Sequence, residues 1–464
     1  MQLPDGLVAV VKHDCPTCML VEPVLRELGA AVWCQDDGSW FEGDDTDLEL
    51  SYRLGIETVP TLLRVEGGTE VARTVGWSRP QWEELTGVAG LGHGLPEHRP
   101  GCGSLSVDPF RIDALEARYG NGLASRRVEF GALEDEHEAL YDRGWTDGLP
   151  VVPPTPERVL RMLRGTTRKP GDVVAVVPPE LVACTVEKVA VNAVMAGCRP
   201  EYLPVVLAAL EAMSAEEFTL HGLLATTYMA GPVLVVNGPV TGRIGMNSGV
   251  NALGQGNRAN ATIGRAVQLV VRNVGGGRPG EVDRATLGNP GKYTFCFAER
   301  EHDSPFTPLA ADRGVAGDAV TVFAGAGVQP VVDQQSRDPE SLARSFAACL
   351  RVNGHPKLPM AFDALLVVSP EHGRVFREAG WDRARLLAEL EDLLTLPVAE
   401  LARGVDGMAE GVPAGAAGGS LPKFRPGGLL VVHAGGDAGM FSAIVGGWAS
   451  GQAGSVPVTR KVLA

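Results

Sequence analysis

Two cysteines near the start of the chain have the spacing of a metal knuckle or of a redox pair. Cys15 and Cys18 lie in the stretch KHDCPTCML and are separated by Pro16 and Thr17. A structural zinc site normally takes four ligands, usually from two such knuckles. The sequence contains no second C-x-x-C, so the spacing favours redox chemistry over zinc.

The residues around this pair predict a strand before it and a helix after it. LVAVVKH is a short apolar run typical of a strand, and MLVEPVLREL has helical spacing. A helix N-terminus stabilises a thiolate. We therefore expect Cys15 to attack a disulfide and Cys18, one turn later, to resolve the mixed species.

The element order predicted for residues 1–90 is β-α-β-α-β-β-α, and Val59-Pro60 precedes its third strand. In this order, and in the positions of the dithiol and the proline, residues 1–90 resemble thioredoxin. The resemblance implies a cis-proline at Pro60 that docks the substrate backbone beside Cys15 and Cys18. Two features differ from the family pattern: His13-Asp14 replaces the usual Trp-x, and the dipeptide between the cysteines is Pro-Thr.

A third cysteine lies in RPGCGSLS, within residues 91–109, which read as a Gly/Pro linker. Glycine on both sides of Cys102 allows close backbone approach and unusual φ. Cys102-Gly103-Ser104 is similar to the first three positions of the UGSC (seleno)protein motif, with Leu105 in place of its last cysteine. The resemblance implies that Cys102 is an attacking thiolate without a local resolving thiol, which the dithiol would supply. An incidental surface cysteine is the alternative.

Residues 110–464 predict a larger α/β domain. Its apolar runs GDVVAVV, PVLVVNG, AVTVFAG, DALLVVS and GGLLVVH alternate with helical segments, which favours a mostly parallel or mixed sheet. The domain could divide near 330–360. Residues 140–464 resemble bacterial proteins associated with the UGSC group, a resemblance that implies no particular catalytic residue.

The stretch GMNSGVNALGQGNRANATIGRA is a glycine loop leading into a predicted helix. Such a loop offers backbone N–H groups to an anion, and two arginines could clamp a carboxylate or phosphate. The alternative is a conformationally demanding structural loop. The candidate substrate-binding residues in and near this region are Asn192, Asn247, Asn251, Arg258, Asn260 and Arg265.

Two predicted strand ends carry further polar groups. His433 precedes the turn Gly435-Gly436, after which we expect a helix, and Glu371-His372 follow another strand. If both strands belong to one sheet, these side chains could converge as acid and base beside a glycine-lined binding turn. The alternative is that each histidine is structural.

These features predict a thiol-dependent oxidoreductase acting on a small molecule bound in the large domain. Cys102, or Cys198 beside the thiolate-favouring Arg199, would react with the substrate. The dithiol would then resolve the product, and thioredoxin reductase or a low-molecular-weight thiol would recharge it. The alternatives are a sulfur-transfer or carbon–sulfur bond-forming or bond-cleaving enzyme using persulfides, and a redox-switched binding protein. No cofactor is predicted beyond the redox-active disulfide, and a metal held by Cys102, Cys198 and histidines stays open.

Charge and hydropathy narrow the partners. The net charge of −15 disfavours nucleic acid and anionic membranes, which require a basic surface. No apolar run of about 18 residues indicates a membrane span, and no signal-peptide core is evident. We therefore expect a cytoplasmic protein, with assembly into a homo-oligomer left open.

Overall fold

The computed structural model describes residues 3–120, 122–131, 133–450 and 454–463. Helices and strands are mixed, and the sheets contain both parallel and antiparallel pairs, so the fold is α/β as predicted. The chain forms two compact units, Met1–Ala124 with Pro156–Leu160, and Ser125–Thr155 with Arg161–Ala464. The segment 91–109, predicted as a linker, therefore lies inside the first unit.

The first unit contains a five-stranded sheet with short strands at its border. Its elements are β1 (Gly6–Val11), α1 (Pro16–Glu27), β2 (Ala31–Cys34), β3 (Gly43–Asp44), α2 (Glu49–Arg53), β4 (Thr58–Val59), β5 (Thr61–Glu66), β6 (Thr69–Val75), β7 (Trp77–Ser78), α3 (Arg79–Thr86), β8 (His98–Arg99), β9 (Cys102–Gly103), a 3-10 turn (Leu105–Val107) and α4 (Ile112–Tyr119).

The strand order of this sheet is β3-β2-β1-β5-β6. Strand β1 runs parallel to β2 and antiparallel to β5, with Val8 opposite Ala31 and Leu63. The apolar residues of β1 and β5 pack with the buried face of α1 in one core. The order β-α-β-α-β-β-α predicted for residues 1–90 is present, interrupted only by two-residue strands.

Two residues determine where helix α1 begins. Cys15 has extended backbone angles and caps the helix, and Pro16 occupies the first turn. Proline is favoured there because its missing N–H would have no partner in that turn. The C-x-x-C pair is consequently fixed at the helix N-terminus, directly after β1.

The second unit is larger. Its elements are α5 (Glu136–Asp142), the end of α6 (Pro156–Leu163), β10 (Val173–Val177), β11 (Val182–Thr185), α7 (Val186–Ala196), α8 (Leu203–Met213), α9 (Leu220–Ala225), β12 (Gly231–Asn237), α10 (Val240–Arg243), α11 (Arg258–Asn273), β13 (Cys296–Ala298), α12 (Leu309–Asp312), β14 (Ala319–Val332), α13 (Pro339–Arg351), β15 (Phe362–Val368), α14 (Pro370–Glu378), α15 (Arg383–Leu394), β16 (Thr395–Pro397), α16 (Val398–Leu401), β17 (Ser420–Pro422), β18 (Leu429–His433), β19 (Phe441–Ala449) and β20 (Val458–Lys461); 3-10 turns span Pro200–Tyr202, Glu216–Phe218, Pro290–Lys292 and Val405–Gly407.

The main sheet of this unit is mixed, the second of the two predicted forms. Its order is β13-β12-β14-β19-β15-β18, and β20 also pairs with β14. The pairs β12–β13 and β15–β18 are parallel, whereas β14 and β19 run antiparallel to their neighbours. Two local predictions differ from the structure. The GDVVAVV strand, β10, pairs with β11 in a separate hairpin, and the segment expected to be helical after Gly435-Gly436 forms β19, a central strand.

One face of the main sheet is covered by a single apolar core. Side chains from all six strands of the main order, including Val235, Phe297, Phe323, Val367 and Val432, form one buried cluster. Alternate residues of β15 point the other way and pack against α13, α14 and α15. The two edge strands, β13 and β18, approach each other at their carboxyl ends, where the Arg300 amide donates to the His433 carbonyl at 2.7 Å.

No helix in the described part of the chain has both the length and the apolar character that crossing a membrane requires.

Candidate active site: a cluster of three cysteines

The dithiol is buried at the N-terminus of α1. The Cys18 backbone amide donates to Cys15 Sγ at 3.4 Å, and the exposed fractions of Cys15 and Cys18 are 1% and 0%. The Val59–Pro60 peptide bond is cis, and the Val59 carbonyl oxygen lies 3.7 Å from Cys15 Sγ. The proline is therefore next to the dithiol, where the sequence placed it.

Cys102 is the third member of the cluster. Strand β9 pairs antiparallel with β4, with Cys102 opposite Val59 and Gly103 opposite Thr58. Cys102 is half-buried and packs against the core cluster that contains Cys15 and Cys18; its thiol is near enough to lower the pKa of Cys15. The segment predicted as an exposed linker is thus an added strand that brings a third thiol to the dithiol.

Two side chains from the dithiol region hold this strand. Thr17 Oγ1, between the two cysteines, donates to the Pro100 carbonyl at 2.7 Å. Lys12 Nζ donates to the Gly103 carbonyl at 3.3 Å. The Lys12 ammonium also favours the thiolate form of Cys102. The strand is therefore fastened on both sides of Cys102.

Past Cys102, the chain is anchored by buried polar groups. Ser104 and Ser106 are both buried, and their hydroxyl oxygens lie 2.8 Å apart. Gln35 Nε2 donates to Ser104 Oγ at 2.6 Å, and Gln35 Oε1 accepts from the Leu105 amide at 3.0 Å. The Ser104 amide donates to the Glu57 carbonyl. Because buried polar groups are costly when unpaired, this network fixes the segment to the first unit.

The three thiols divide the ionisation unequally. The pKa of Cys15 is lowered to about 5, chiefly because the Cys18 thiol donates to it; burial opposes this, and Cys102 and the backbone amides of Cys18 and Thr17 also donate. Burial raises the pKa of Cys18 strongly. The pKa of Cys102 is raised because its thiol donates to Cys15. These shifts favour Cys15 as the thiolate of the reduced cluster, and the role of Cys102 as an attacking thiol stays a prediction.

The loop before the dithiol is held by a carboxylate. Asp36 accepts from the backbone amides of His13 at 2.6 Å and of Asp14 at 2.8 Å. The Cys34 thiol donates to the same carboxylate at 3.2 Å. The His13-Asp14 pair, where the sequence departs from the thioredoxin pattern, thus has a defined backbone conformation, and the His13 ring packs edge-on against Trp40.

Cys198, the alternative reactive thiol, belongs to the second unit and is buried. Burial raises its pKa to about 12, and its thiol donates to the Thr262 carbonyl at 3.3 Å. Burial therefore opposes the thiolate that Arg199 is expected to favour, and a reactive role for Cys198 stays a prediction. The pKa of Cys184 is likewise raised to about 12 by burial.

His433 ends β18, and His372 lies in the first turn of α14, just after the neighbouring parallel strand β15; the two rings make separate contacts. His372 Nδ1 and Nε2 contact Ser442 Oγ at 2.7 Å and the Asp333 carbonyl at 2.9 Å. His433 Nδ1 contacts the Arg300 carbonyl at 3.0 Å. Burial lowers the pKa of both rings. Glu371 accepts from the Gly439 amide at 2.8 Å. These contacts connect neighbouring loops and strands, as expected if the histidines are structural.

The asparagines of the glycine loop bind the loop itself. Asn260 Nδ2 donates to the carbonyls of Asn247 and Ala252, and Asn260 Oδ1 accepts from the Asn247 amide. Asn247 Nδ2 donates to the Val250 carbonyl, and Asn251, at positive φ, donates to the Gln255 carbonyl. Their visible contacts are those of the structural alternative.

The remaining candidates in the second unit are also engaged. Arg265 makes a two-pronged ion pair with Asp147, with both N···O distances at 2.8 Å. Arg258 Nε donates to the Gly197 carbonyl, and Asn192 Oδ1 accepts from Asn273. The turn glycines contact the glycine loop: the Gly435 amide donates to the Ser248 carbonyl, and a side chain at Gly436 would collide with Val250. The two predicted loops therefore meet, although by backbone contacts.

Several site residues escaped the sequence reasoning. Thr17, Lys12 and Gln35 gave no signal because their roles depend on a strand that is far away in sequence. Ser104 did carry a weak signal, since serine often caps a turn through its side chain, and Ser104 Oγ accepts from the Ser106 amide at the start of the 3-10 turn. Within the residues described, no group of three or more His, Cys, Asp or Glu side chains is arranged to hold a metal ion.

A scan against protein-family models finds no match to this chain, and a search of the curated proteins finds no similar one.

Proposed function

We propose that the first unit is a thioredoxin-like thiol–disulfide relay that regenerates Cys102. The observation that carries this proposal is the pairing of β9 with β4, which places Cys102 opposite Val59, the residue whose carbonyl oxygen lies 3.7 Å from Cys15 Sγ. Cys102 is the half-buried thiol that meets a small molecule, and the buried dithiol supplies the electrons.

The first step resolves a Cys102 adduct. When Cys102 carries a thiol R as the mixed disulfide Cys102–S–S–R, the Cys15 thiolate attacks the Cys102 sulfur. The S–S bond to R breaks, the Cys15–Cys102 disulfide forms, and R leaves as its thiolate. A sulfenic acid at Cys102 reacts in the same way, with water as the leaving group after protonation.

The second step releases Cys102. Cys18 attacks Cys15, the Cys15–Cys18 disulfide forms, and Cys102 leaves as a thiolate that takes the Cys18 proton. Lys12 stabilises the negative charge of this leaving group. Two electrons from thioredoxin reductase or a low-molecular-weight thiol then reduce the Cys15–Cys18 disulfide, as expected in a reducing cytoplasm. Cys198 takes no part in this chemistry, because it is buried in the second unit, where its thiol donates to the Thr262 carbonyl.

Trapping the intermediate tests the relay. In the full-length Cys18→Ser variant, oxidation with glutathione disulfide should accumulate the Cys15–Cys102 disulfide, which peptide mass spectrometry without reduction detects. The wild-type protein should end with the Cys15–Cys18 disulfide instead. The double variant Cys18→Ser, Cys34→Ser is the control. The Cys34 thiol donates to Asp36, so replacing it should leave the Cys15–Cys102 cross-link in place.

A second readout follows the adduct itself. Glutathione placed on Cys102 should persist at least tenfold longer in Cys15→Ser than in the wild-type protein. Absence of the Cys15–Cys102 cross-link in Cys18→Ser would contradict the relay. Equal lifetimes of the adduct in Cys15→Ser and in the wild-type protein would contradict it as well.

A further inference from the structure

The backbone edge beside the dithiol is already filled by this chain. The carbonyl and amide groups at Glu57, Thr58 and Val59 face the segment that contains β9, and the Ser104 amide donates to Glu57. A polypeptide that adds a strand to an exposed edge needs those groups free. With this segment in place, Cys15 is only 1% exposed.

The fit between the segment and this edge leaves no room for a side chain at one position. A Cβ atom on Gly101 would lie 2.6 Å from the Val59 carbonyl oxygen and 2.5 Å from Thr58 Cγ2. Gly76 approaches from the neighbouring turn, and a Cβ there would lie 2.9 Å from the Gly101 nitrogen. Glycine at 101 is therefore what permits the strand to close over the dithiol. A Cβ on Gly103, two residues later, would meet nothing within 4 Å.

We propose that this self-docked strand determines substrate class: the dithiol acts on small-molecule adducts of Cys102 and excludes protein disulfides, with Gly101 as the specificity-determining residue. The inference rests on the proposed relay and deepens it. A small thiol or oxidant reaches the half-buried Cys102 sulfur from solvent, whereas a protein cysteine must bring a backbone strand to the occupied Val59 edge.

Displacing the strand tests the inference. Full-length Gly101→Ala should push residues 100–103 off Val59 and expose Cys15. With dithiothreitol as electron source, we expect the wild-type protein to reduce insulin at the background rate of Cys15→Ser, and Gly101→Ala to reduce it at least tenfold faster. Gly103→Ala is the matched control: it adds the same methyl group to the same strand and should stay at background. The double variant Gly101→Ala, Cys15→Ser should return to background.

Hydrogen exchange over residues 98–107 reports the strand independently of activity. Faster exchange in Gly101→Ala than in Gly103→Ala is expected. If Gly101→Ala does not fold, Ser104→Ala, which removes an anchor without adding bulk, provides the same comparison. The inference is overturned if the wild-type protein reduces insulin as fast as the displaced variant. It is also overturned if the displaced variant stays at the background rate, or if hydrogen exchange shows that the strand is not displaced in Gly101→Ala. The Cys18→Ser cross-link decides the relay separately, so the two failures are distinguishable.

Discussion

At the scale of single residues, the cluster assigns different work to three chemically identical side chains. The groups around each sulfur make the difference: both other thiols and nearby backbone amides lower the pKa of Cys15, whereas burial and the neighbouring Cys15 raise the pKa of Cys18 and of Cys102. A thiolate surrounded by donors is stable at neutral pH, and its protonated neighbours are ready to become leaving or attacking groups in turn.

Removing one donor should raise the pKa of Cys15. In Cys102→Ala the thiolate loses the hydrogen bond from Cys102, so its ionisation should move from about 5 to higher pH. The ultraviolet absorbance of the thiolate, taken as the difference from the matching Cys15→Ser protein, measures this. Cys34→Ala should leave the transition where it is. An unmoved transition in Cys102→Ala would mean that Cys102 does not contact Cys15.

At the scale of elements, β9 was beyond the reach of sequence patterns. A two-residue strand of Cys102 and Gly103 has no hydrophobic period, and the glycines and prolines around it are typical of loops. The longer elements were predictable because β1, α1 and β5 have clear apolar patterns and the dithiol follows from its place between them. The strand and its anchors form only through contacts between residues far apart in the chain.

The anchor of β9 should depend on Gln35. Gln35→Ala removes one of the partners of Ser104 Oγ, which keeps Ser106, and leaves the Leu105 amide without its acceptor. A buried polar group left unpaired costs about 1–3 kcal/mol. Hydrogen exchange at the Ser104 and Leu105 amides should therefore accelerate by roughly tenfold or more. The control is Ser39→Ala, which removes an exposed hydroxyl that donates to Asp37, four residues after Gln35. Equal exchange in both variants would show that the polar network does not hold the segment.

At the scale of the whole molecule, the two units differ in how well the roles of their residues could be predicted from sequence. The second unit has the predicted α/β character, but its candidate residues Asn260, Arg265 and His372 have partners within the fold. A polar residue in a glycine-rich loop has the same sequence pattern whether it binds a ligand or its own backbone, so sequence alone could not separate the two. Its binding of a small molecule stays a prediction.

A buried carboxyl group should make the stability of the second unit depend on pH. Burial raises the pKa of Glu299 from 4.5 to about 7, against the hydrogen bonds from Asn237 and the Leu309 amide and the nearby Arg383. Folding therefore favours protonated Glu299, so its contribution to stability is present below pH 4.5 and is lost as the pH rises through 7.

Glu299→Gln should remove this part of the pH dependence. The free energy of unfolding of the second unit can be measured in urea by hydrogen exchange of its peptides. Measuring it at several pH values between 4.5 and about 7 gives the pH dependence. Glu340→Gln, an exposed change in the first turn of α13, should retain the wild-type slope. A slope unchanged in Glu299→Gln would assign the titration to another group.

The covalent continuity between β9 and the dithiol sets the kinetics of the cluster. Because Cys102 and Cys15 belong to one chain and lie in contact, their reaction is unimolecular, and the effective concentration of one thiol at the other is fixed by geometry rather than by protein abundance. Diluting the protein should leave the rate of adduct clearance unchanged. A free thiol in solution would have to match this local concentration to compete, so an adduct on Cys102 would be removed by its own chain first.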